Sequence, residues 1–301
     1  MRYKSREKTK ELLIYESLNV RMKLEQKEKQ NFIHLKKGFE GEMLFDSHLE
    51  VLEGDCLIFQ DLLFQWNSSL FQVDTLLMTT NSIYLFEVKN YEGDFVYEND
   101  RLFKKPKIEV TNPLNQLNRS ELLLRQLLKH LGCKVPIHAY IVFIHPEFTL
   151  YQTPLDKPFI FSNQLNRFLN TLSLNPSREG TEPLKKLADM LVERHIRNSP
   201  YSRTPAYQYD ELQKGLICNK CHSFSISLNK TISVCHNCHY EEPLVDSVIR
   251  HIEEFQHLFP MKKITTKEVS EWCKIVPPKK IRNILKEHFT RFGVRQWTYF
   301  E

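Results

Sequence analysis

The sequence has no run of about 18 consecutive apolar residues, which excludes a long hydrophobic helix of the kind that spans a bilayer. No membrane partner is expected. Its opening residues, Met1 to Lys10, alternate basic and acidic side chains and lack the apolar core of a secretory signal. The expected location is therefore the cytoplasm. No disulfide framework can be laid out, because the seven cysteines are odd in number and four of them fall in two CxxC pairs. Such usage suits a reducing compartment. The remaining three, Cys56, Cys133 and Cys273, are scattered and read as small buried hydrophobes. There is no internal repeat of fixed period and no low-complexity segment, so solenoid and array architectures are excluded.

What the chain does have is length for a core. Its 301 residues, 41% hydrophobic and 26% charged, suggest two or three folded units. The net charge of +5 says less than its distribution. Residues 1–37 hold eleven Lys and Arg against five Glu, and residues 244–301 hold eleven against seven acidic groups. Basic flanks attract phosphate backbones. They are equally the surface of a solvated helix.

Along the chain, residues 1–37 read as a basic N-terminal helix. KGFEGEMLFDSHLEVL reads as an amphipathic helix, followed by a turn at Gly54-Asp55. CLIFQDLLF, FQVDTLLMTT and SIYLFEVKN are strand candidates, the last two joined by a tight turn at Asn81-Ser82. A small hairpin is expected around Glu98-Asn99-Asp100. Asn112 fits an N-cap, Pro113 the first helical position and Gly132 the stop of the next helix. PIHAYIVFIHP is a buried strand and PFIFSN a shorter one. Helical patterns near Gln164–Leu172 and Pro183–Ile196 follow, then a Pro-, Ser- and Tyr-rich linker over 199–215.

The strand SIYLFEVKN carries the chemistry. Side chains alternate faces with a period of two, so Glu87 and Lys89 share a face with Ile83 and Leu85. Burying either charge alone is expensive, so they need each other, a metal or a ligand. Asp74, in an otherwise apolar strand, can be brought beside Glu87 by the hairpin. Two adjacent carboxylates suit Mg²⁺, which takes oxygen ligands and can activate water. Lys89 would then balance charge in the transition state. Glu42 lies three and seven residues before Phe45 and Leu49, on the core side of its helix, a further carboxylate aimed at the same place. Gly38 and Gly41 in that helix would allow close approach. The alternative is an ion pair between Glu87 and Lys89 at a sheet surface, with Asp74 capping a turn.

Taken together, Gly38 with Gly41-Glu42, Asp61-Leu62-Leu63, Gln72-Val73-Asp74, Phe86-Glu87-Val88-Lys89-Asn90-Tyr91 with Gly93, and Asn112-Pro113 with Gln116 closely resemble the NERD (nuclease-related) domain. That family is related to the PD-(D/E)xK restriction-endonuclease-like superfamily. The resemblance covers roughly residues 36–150. It implies that Asp74 and Glu87 bind Mg²⁺ (or Mn²⁺), that Lys89 is catalytic, and that Glu42 and Gln116 belong to the site. Relatives in the superfamily include inactive members and members with diverse substrates.

Cys218-Asn-Lys-Cys221 and Cys235-His-Asn-Cys238 are two knuckles separated by thirteen residues. Four thiolates suit tetrahedral, structural zinc, and the intervening HSFSISLNKTISV reads as a hairpin around Asn229-Lys230. His222, His236 and His239 lie beside the knuckles. In the tail, Thr265 or Thr266 caps one helix and a second starts after Pro278, with Lys279, Lys280, Arg282 and Lys286 on it. The pair resembles a helix-turn-helix, although its turn holds two prolines and no glycine; the alternatives are a small helical domain with a solvated basic face and a protein-docking module.

The expected class is α/β: a restriction-endonuclease-like core in the order αβββαβ, a four-cysteine zinc ribbon and a helical tail. The expected divisions are 1–37, 38–198 for the nuclease-like domain, 199–215, 216–242 for the ribbon and 243–301. The expected activity is Mg²⁺-dependent hydrolysis of DNA. The alternative is an inactive scaffold with a nuclease-like core that binds nucleic acid or protein. RNA is an alternative polymer, because basic charge does not distinguish the two, and a protein partner or a homo-oligomer stays open.

Overall fold

The protein is described here from a computed structural model, which covers every residue except Glu53, residues 173–181 and Ser202. Part of the expected 38–198 domain and one residue of the expected linker therefore lie outside the described residues. The chain divides into two units. One comprises Met1–Lys8 and His34–Tyr201, the other Thr9–Ile33 and Ser202–Glu301.

Three elements open the chain: strand β1 (Arg2–Lys4), helix α1 (Lys10–Arg21) and helix α2 (Gln26–Leu49). The single basic helix expected over 1–37 is corrected by this. Thr9 starts α1 by accepting a hydrogen bond from the Leu12 N–H, and Met22 ends it in extended backbone, φ −146°. The expected boundary at 37/38 falls inside α2, because Lys, Glu and Gln are good helix formers and no breaker intervenes.

In the first unit follow β2 (Leu57–Trp66), β3 (Ser69–Met78), β4 (Ile83–Lys89), β5 (Gly93–Glu98), β6 (Arg101–Lys104), β7 (Ile108–Val110) and α3 (Pro113–His130). Then come β8 (Ile137–Phe143), β9 (Phe148–Tyr151), β10 (Phe159–Phe161), α4 (Ser162–Thr171) and α5 (Glu182–Arg194). The main sheet has the order β1-β2-β3-β4-β8-β10. Strands β2, β3 and β4 are antiparallel neighbours, while β8 runs parallel to β4 and β10 parallel to β8. The hairpin expected at Glu98–Asp100 is part of a second sheet, β7-β6-β5-β9, because β9 also pairs with β5. Asn112 accepts from the Leu114 N–H at 3.0 Å to start α3, and Gly132 follows it at φ +79°.

Both faces of the main sheet are covered. Ile83 and Leu85 of β4 pack with Leu117 and Leu124 of α3 and Leu191 of α5. Phe86 and Val88 pack on the other side with Phe45 and Leu49 of α2 and Leu165 of α4. The alternation in β2 and β3 changes phase midway. Phe71 and Val73 share a face with Leu76 and Met78, which a strict period of two forbids. The slip falls on Asp74 and Thr75, opposite Gln60 and Asp61, where Asp61 takes φ +55°. Lys4 caps this kink, its ammonium donating to the carbonyls of Gln60 and Asp61, each at 2.8 Å.

The second unit contains β11 (Ile226–Asn229), β12 (Ile232–Cys235), β13 (Glu241–Pro243), α6 (Leu244–Leu258), α7 (Thr266–Cys273), α8 (Pro278–His288), β14 (Arg291–Phe292) and β15 (Tyr299–Phe300). The expected hairpin is β11-β12, to which β13 adds a third strand. The tail expected to be helical also holds the β14-β15 pair. The 216–242 and 243–301 stretches share one core rather than standing apart: Leu18 of α1, Leu216, Val248, Phe255, Trp272 and Leu285 all belong to it.

Arg21 joins α1 to that core. Its guanidinium lies 4.0 Å over the Trp272 ring, pairs with both carboxylate oxygens of Glu254 (2.8 and 2.5 Å) and donates to the Gln213 carbonyl at 2.7 Å. Removing one partner of a buried pair strands the other. Arg21→Ala is expected to destabilise this unit by roughly 3–5 kcal/mol in denaturant melts; a loss under about 1 kcal/mol would mean that the pair is solvated.

Candidate functional site

Strand β4 carries its alternation through to its end, so Glu87 and Lys89 continue the face that packs on α3. Glu87 is 1% exposed. The Lys89 ammonium donates to Glu87 Oε1 at 2.6 Å and to Gln116 Oε1 at 3.1 Å. Gln116 reaches this point because the Asn112-Pro113 cap starts α3 four residues earlier. The β3-β4 ladder runs out at Thr75 opposite Phe86. One residue on, the Asp74 side chain replaces a backbone acceptor: its Oδ2 takes the Val88 N–H at 2.9 Å. The phase slip in β3 leaves Asp74 and Thr75 as consecutive buried polar residues, 5% and 0% exposed.

Glu42 joins through Arg6, a residue that the sequence reading did not single out. Arg6 follows β1, and its side chain is 1% exposed. It donates from Nη1 to Glu42 Oε2 at 2.5 Å, from Nε to Asp46 Oδ2 at 2.8 Å and from Nη2 to the Asp74 carbonyl at 2.8 Å. The Gln60 side chain accepts from its backbone N–H at 3.1 Å. Asp46 lies one helical turn beyond Glu42 on α2, so the i+4 spacing could have found it; Arg6, 68 residues from Asp74, has no local signal. Of the two glycines noted in α2, Gly41 permits the expected close approach. A Cβ there would lie 2.4 Å from the Asn90 Cβ, just past β4. Gly38 faces nothing within 4 Å, so that part of the expectation is corrected.

Five expected residues thus fall into one connected network. Lys89 bridges Glu87 and Gln116, Asp74 holds β4, and Glu42 is tied to the Asp74 backbone through Arg6. Burial pushes the Glu87 carboxyl up to about 8, and the Asp74 carboxylate pushes the same way against the pull of Lys89. Glu42 rises to about 8 for the same reasons, burial first and Asp74 second, opposed by Arg6. Burial also raises Asp74, against Lys89 and the Val88 N–H. Burial alone would lower the Lys89 ammonium; Glu87 and Asp74 outweigh it and hold its pKa above the ordinary lysine value. The centre is over-supplied with buried negative charge, which is the condition a cation relieves.

The second candidate is the cysteine cluster. The ligand atoms of Cys218, Cys221, Cys235 and Cys238 all lie within 4.8 Å of one another. The Cys218–Cys238 sulfurs are 3.5 Å apart and the Cys221–Cys235 sulfurs 3.6 Å. Zinc–thiolate bonds of about 2.3 Å give tetrahedral edges of roughly 3.8 Å, so four sulfurs at these spacings suit zinc. Among the described residues, the carboxylates of the other centre do not form so close a group. His222, His236 and His239 are outside the four-sulfur group. A different histidine anchors it. His251 of α6, fully buried, accepts the Ile217 N–H at Nε2, 2.8 Å, beside Cys218. Its Nδ1 therefore carries the proton to the Ser247 carbonyl at 2.6 Å. Burial depresses its pKa to about 4, which keeps it neutral for this role.

Residues 37–144, about a third of the chain, match the family described as the Nuclease-related domain (NERD). No curated protein and no solved structure matches the chain. Arg6 lies outside the matched stretch.

The raised carboxyls fix the sign of a pH effect. A Glu whose folded pKa is above its unfolded value of about 4.3 stabilises the fold when protonated. For Glu87 that contribution is whole below the unfolded value and is lost as pH rises through about 8. Without divalent cation, stability is expected to fall by a few kcal/mol, on the order of the linkage of one strongly shifted carboxyl, between about pH 5 and about pH 8. Glu87→Gln should flatten that slope in thermal melts. Equal slopes for variant and wild type would show that Glu87 ionises freely.

Proposed function

We propose that the first unit is a metal-dependent nuclease of the PD-(D/E)xK type that hydrolyses DNA phosphodiester bonds. The observation that carries this reading is the pairing of two buried carboxylates, Asp74 and Glu87, with an ammonium on the same strand face as Glu87. The donor set fits a hard dication: carboxylate oxygens, buried and mutually repelling, with no sulfur or imidazole among them. Asp74 and Glu87 would hold it. When bound, Mg²⁺ or Mn²⁺ supplies Lewis acidity and lowers the pKa of a coordinated water.

The chain's own groups do the rest. Lys89 keeps its proton and offsets negative charge as water oxygen bonds to phosphorus and the P–O bond to the leaving group breaks. Gln116, whose Oε1 holds Lys89 at 3.1 Å and whose amide also supports the Glu87 carboxylate, has a second amide N–H with which to orient water or a phosphate oxygen. Arg6 positions Glu42 and the Asp74 backbone without reaching substrate, because its side chain is enclosed. In the second unit, we read the four cysteines and their β-hairpin as a structural zinc ribbon.

One observation favours a second reading, an inactive nuclease-like scaffold. Lys89 already pairs with Glu87 and Arg6 with Glu42, so much of the acidic charge is balanced by the chain itself.

Cleavage of supercoiled, linear and single-stranded DNA with Mg²⁺ or Mn²⁺ separates the two. Lys89→Ala and Asp74→Asn are each expected to lower cleavage by about 10³-fold or more, the loss typical for removal of a group that stabilises transition-state charge. A variant that cuts as fast as wild type would remove its residue from the reaction, and wild-type protein inert on every form would favour the scaffold.

For the ribbon, elemental analysis should find about one zinc per chain. Cys221→Ser should lose it and loosen the second unit, read as faster amide exchange at β11 and β12. A metal-free protein with unchanged exchange would overturn the assignment.

A further inference from the structure

The C-terminal half of the second unit is more than a helix pair. Three helices, α6, α7 and α8, share one core through Phe255, Trp272 and Leu285. Four residues, 274–277, separate α7 from α8. Ile264, just before α7, pairs antiparallel with Phe300, and β14 pairs with β15, so residues 291–300 return as a small sheet to the start of α7. Residues 293–298 connect β14 to β15 and include a short 3-10 turn, Arg295–Trp297. The order of these elements is that of a helix-turn-helix with a β-hairpin behind it, and in a helix-turn-helix the second helix enters the major groove.

The surface of α8 and the hairpin is predominantly basic. Residues 278–298 hold six Lys and Arg against a single Glu. Helix α8 turns Ile281, Ile284 and Leu285 inward, and exposes Lys279, Arg282, Asn283 and Lys286. Spacings of three, four and seven residues put these four in one stripe. None of its three cations is paired with a carboxylate among the described residues. Lys280, by contrast, is spent on the Lys230 carbonyl of the β11-β12 turn. At 1.5 Å per residue the stripe is roughly 10 Å long, comparable to the width of the DNA major groove.

The hairpin tip supports the same reading independently. It is a built turn. Gly293 takes φ +73°, where a Cβ would lie 2.3 Å from the Trp297 carbonyl oxygen, and Arg295 takes φ +49°. Trp297 and Thr298 donate back to the carbonyls of Val294 and Arg295 at 3.1 and 3.3 Å. This constrained turn presents Trp297 75% exposed and Val294 71% exposed, beside an exposed Arg295. A large aromatic held out of the core next to a cation is available for an intermolecular contact.

We propose that this assembly is a duplex-DNA-binding surface, with Lys279, Arg282 and Lys286 on phosphates, Asn283 facing base edges, and Trp297 and Arg295 on the adjoining groove. The proposal stands apart from the cleavage reading, because it concerns the second unit and requires no divalent metal.

The test uses the full chain carrying Lys89→Ala, so that cutting does not intrude, with a fluorescent DNA duplex and no added divalent cation. Binding is followed by polarisation across salt. Replacing Lys279, Arg282 and Lys286 together by Ala is expected to weaken binding by about 30-fold or more, and to reduce the slope of log affinity against log salt by roughly 3. The three are exposed, and an unchanged melting temperature will show the fold intact. Trp297→Ala is expected to weaken binding by about 10-fold with the salt slope unchanged, because an uncharged contact releases no counterions. Triple-variant binding within twofold of wild type would overturn the proposal. So would tighter wild-type binding to RNA or to single strands than to the duplex.

Discussion

A guanidinium sealed from water organises the first unit. Arg6 cannot be buried for nothing: an isolated charge in the interior is prohibitively costly, so every donor it has must find an acceptor. It finds them on an edge segment, a helix and a kinked strand at once. Through it, Glu42 and Asp46 of α2 are fixed against the carbonyl of Asp74, where β3 changes phase. The kink leaves the β3-β4 ladder one bond short, and the Asp74 carboxylate supplies that bond to Val88. Glu87 and Lys89 follow on β4. The acidic centre is thus the place where a break in sheet regularity is repaired by side chains, and the repair is itself charged.

The two units solve buried charge in the same way but to different ends. In the second, Arg21 meets Glu254 and backbone carbonyls and lies over Trp272; its acceptors satisfy it and nothing remains to react. In the first, Glu42, Asp46, Asp74 and Glu87 crowd two cations, and burial raises Glu42, Asp74 and Glu87. The surplus is what distinguishes a candidate reactive centre from a structural pair. The cysteine cluster is a third solution, in which the ligand atoms crowd one another and a neutral histidine anchors the backbone beside them.

Much of this was legible in the residues themselves. Alternation in β4 placed Glu87 with Lys89, the Asn112-Pro113 cap set the start of α3 and hence Gln116, and the two CxxC knuckles announced their cluster. The N-terminal stretch was not legible. Residues 22–25 contain neither Gly nor Pro, so the break between α1 and α2 left no mark in composition. Arg6 has partners 36 to 69 residues away, beyond any local pattern. The phase slip at Asp74 and Thr75 defeated a strict period of two, because Asp61 opposite adopts a backbone conformation rare for a residue with a side chain. The small strands after α8 escaped for another reason: two-residue strands have no periodicity to read.

The chain visits the units alternately, and this has a cost in time. Helix α1 leaves the ribosome ahead of its core, because the carboxylate that neutralises Arg21 lies 233 residues later. At translation speeds of about 5–20 residues per second, α1 waits roughly 10–50 s with its apolar side uncovered. A nascent chain in that condition is a natural client for a holding chaperone, and synthesis slowed late in the message would prolong the exposure.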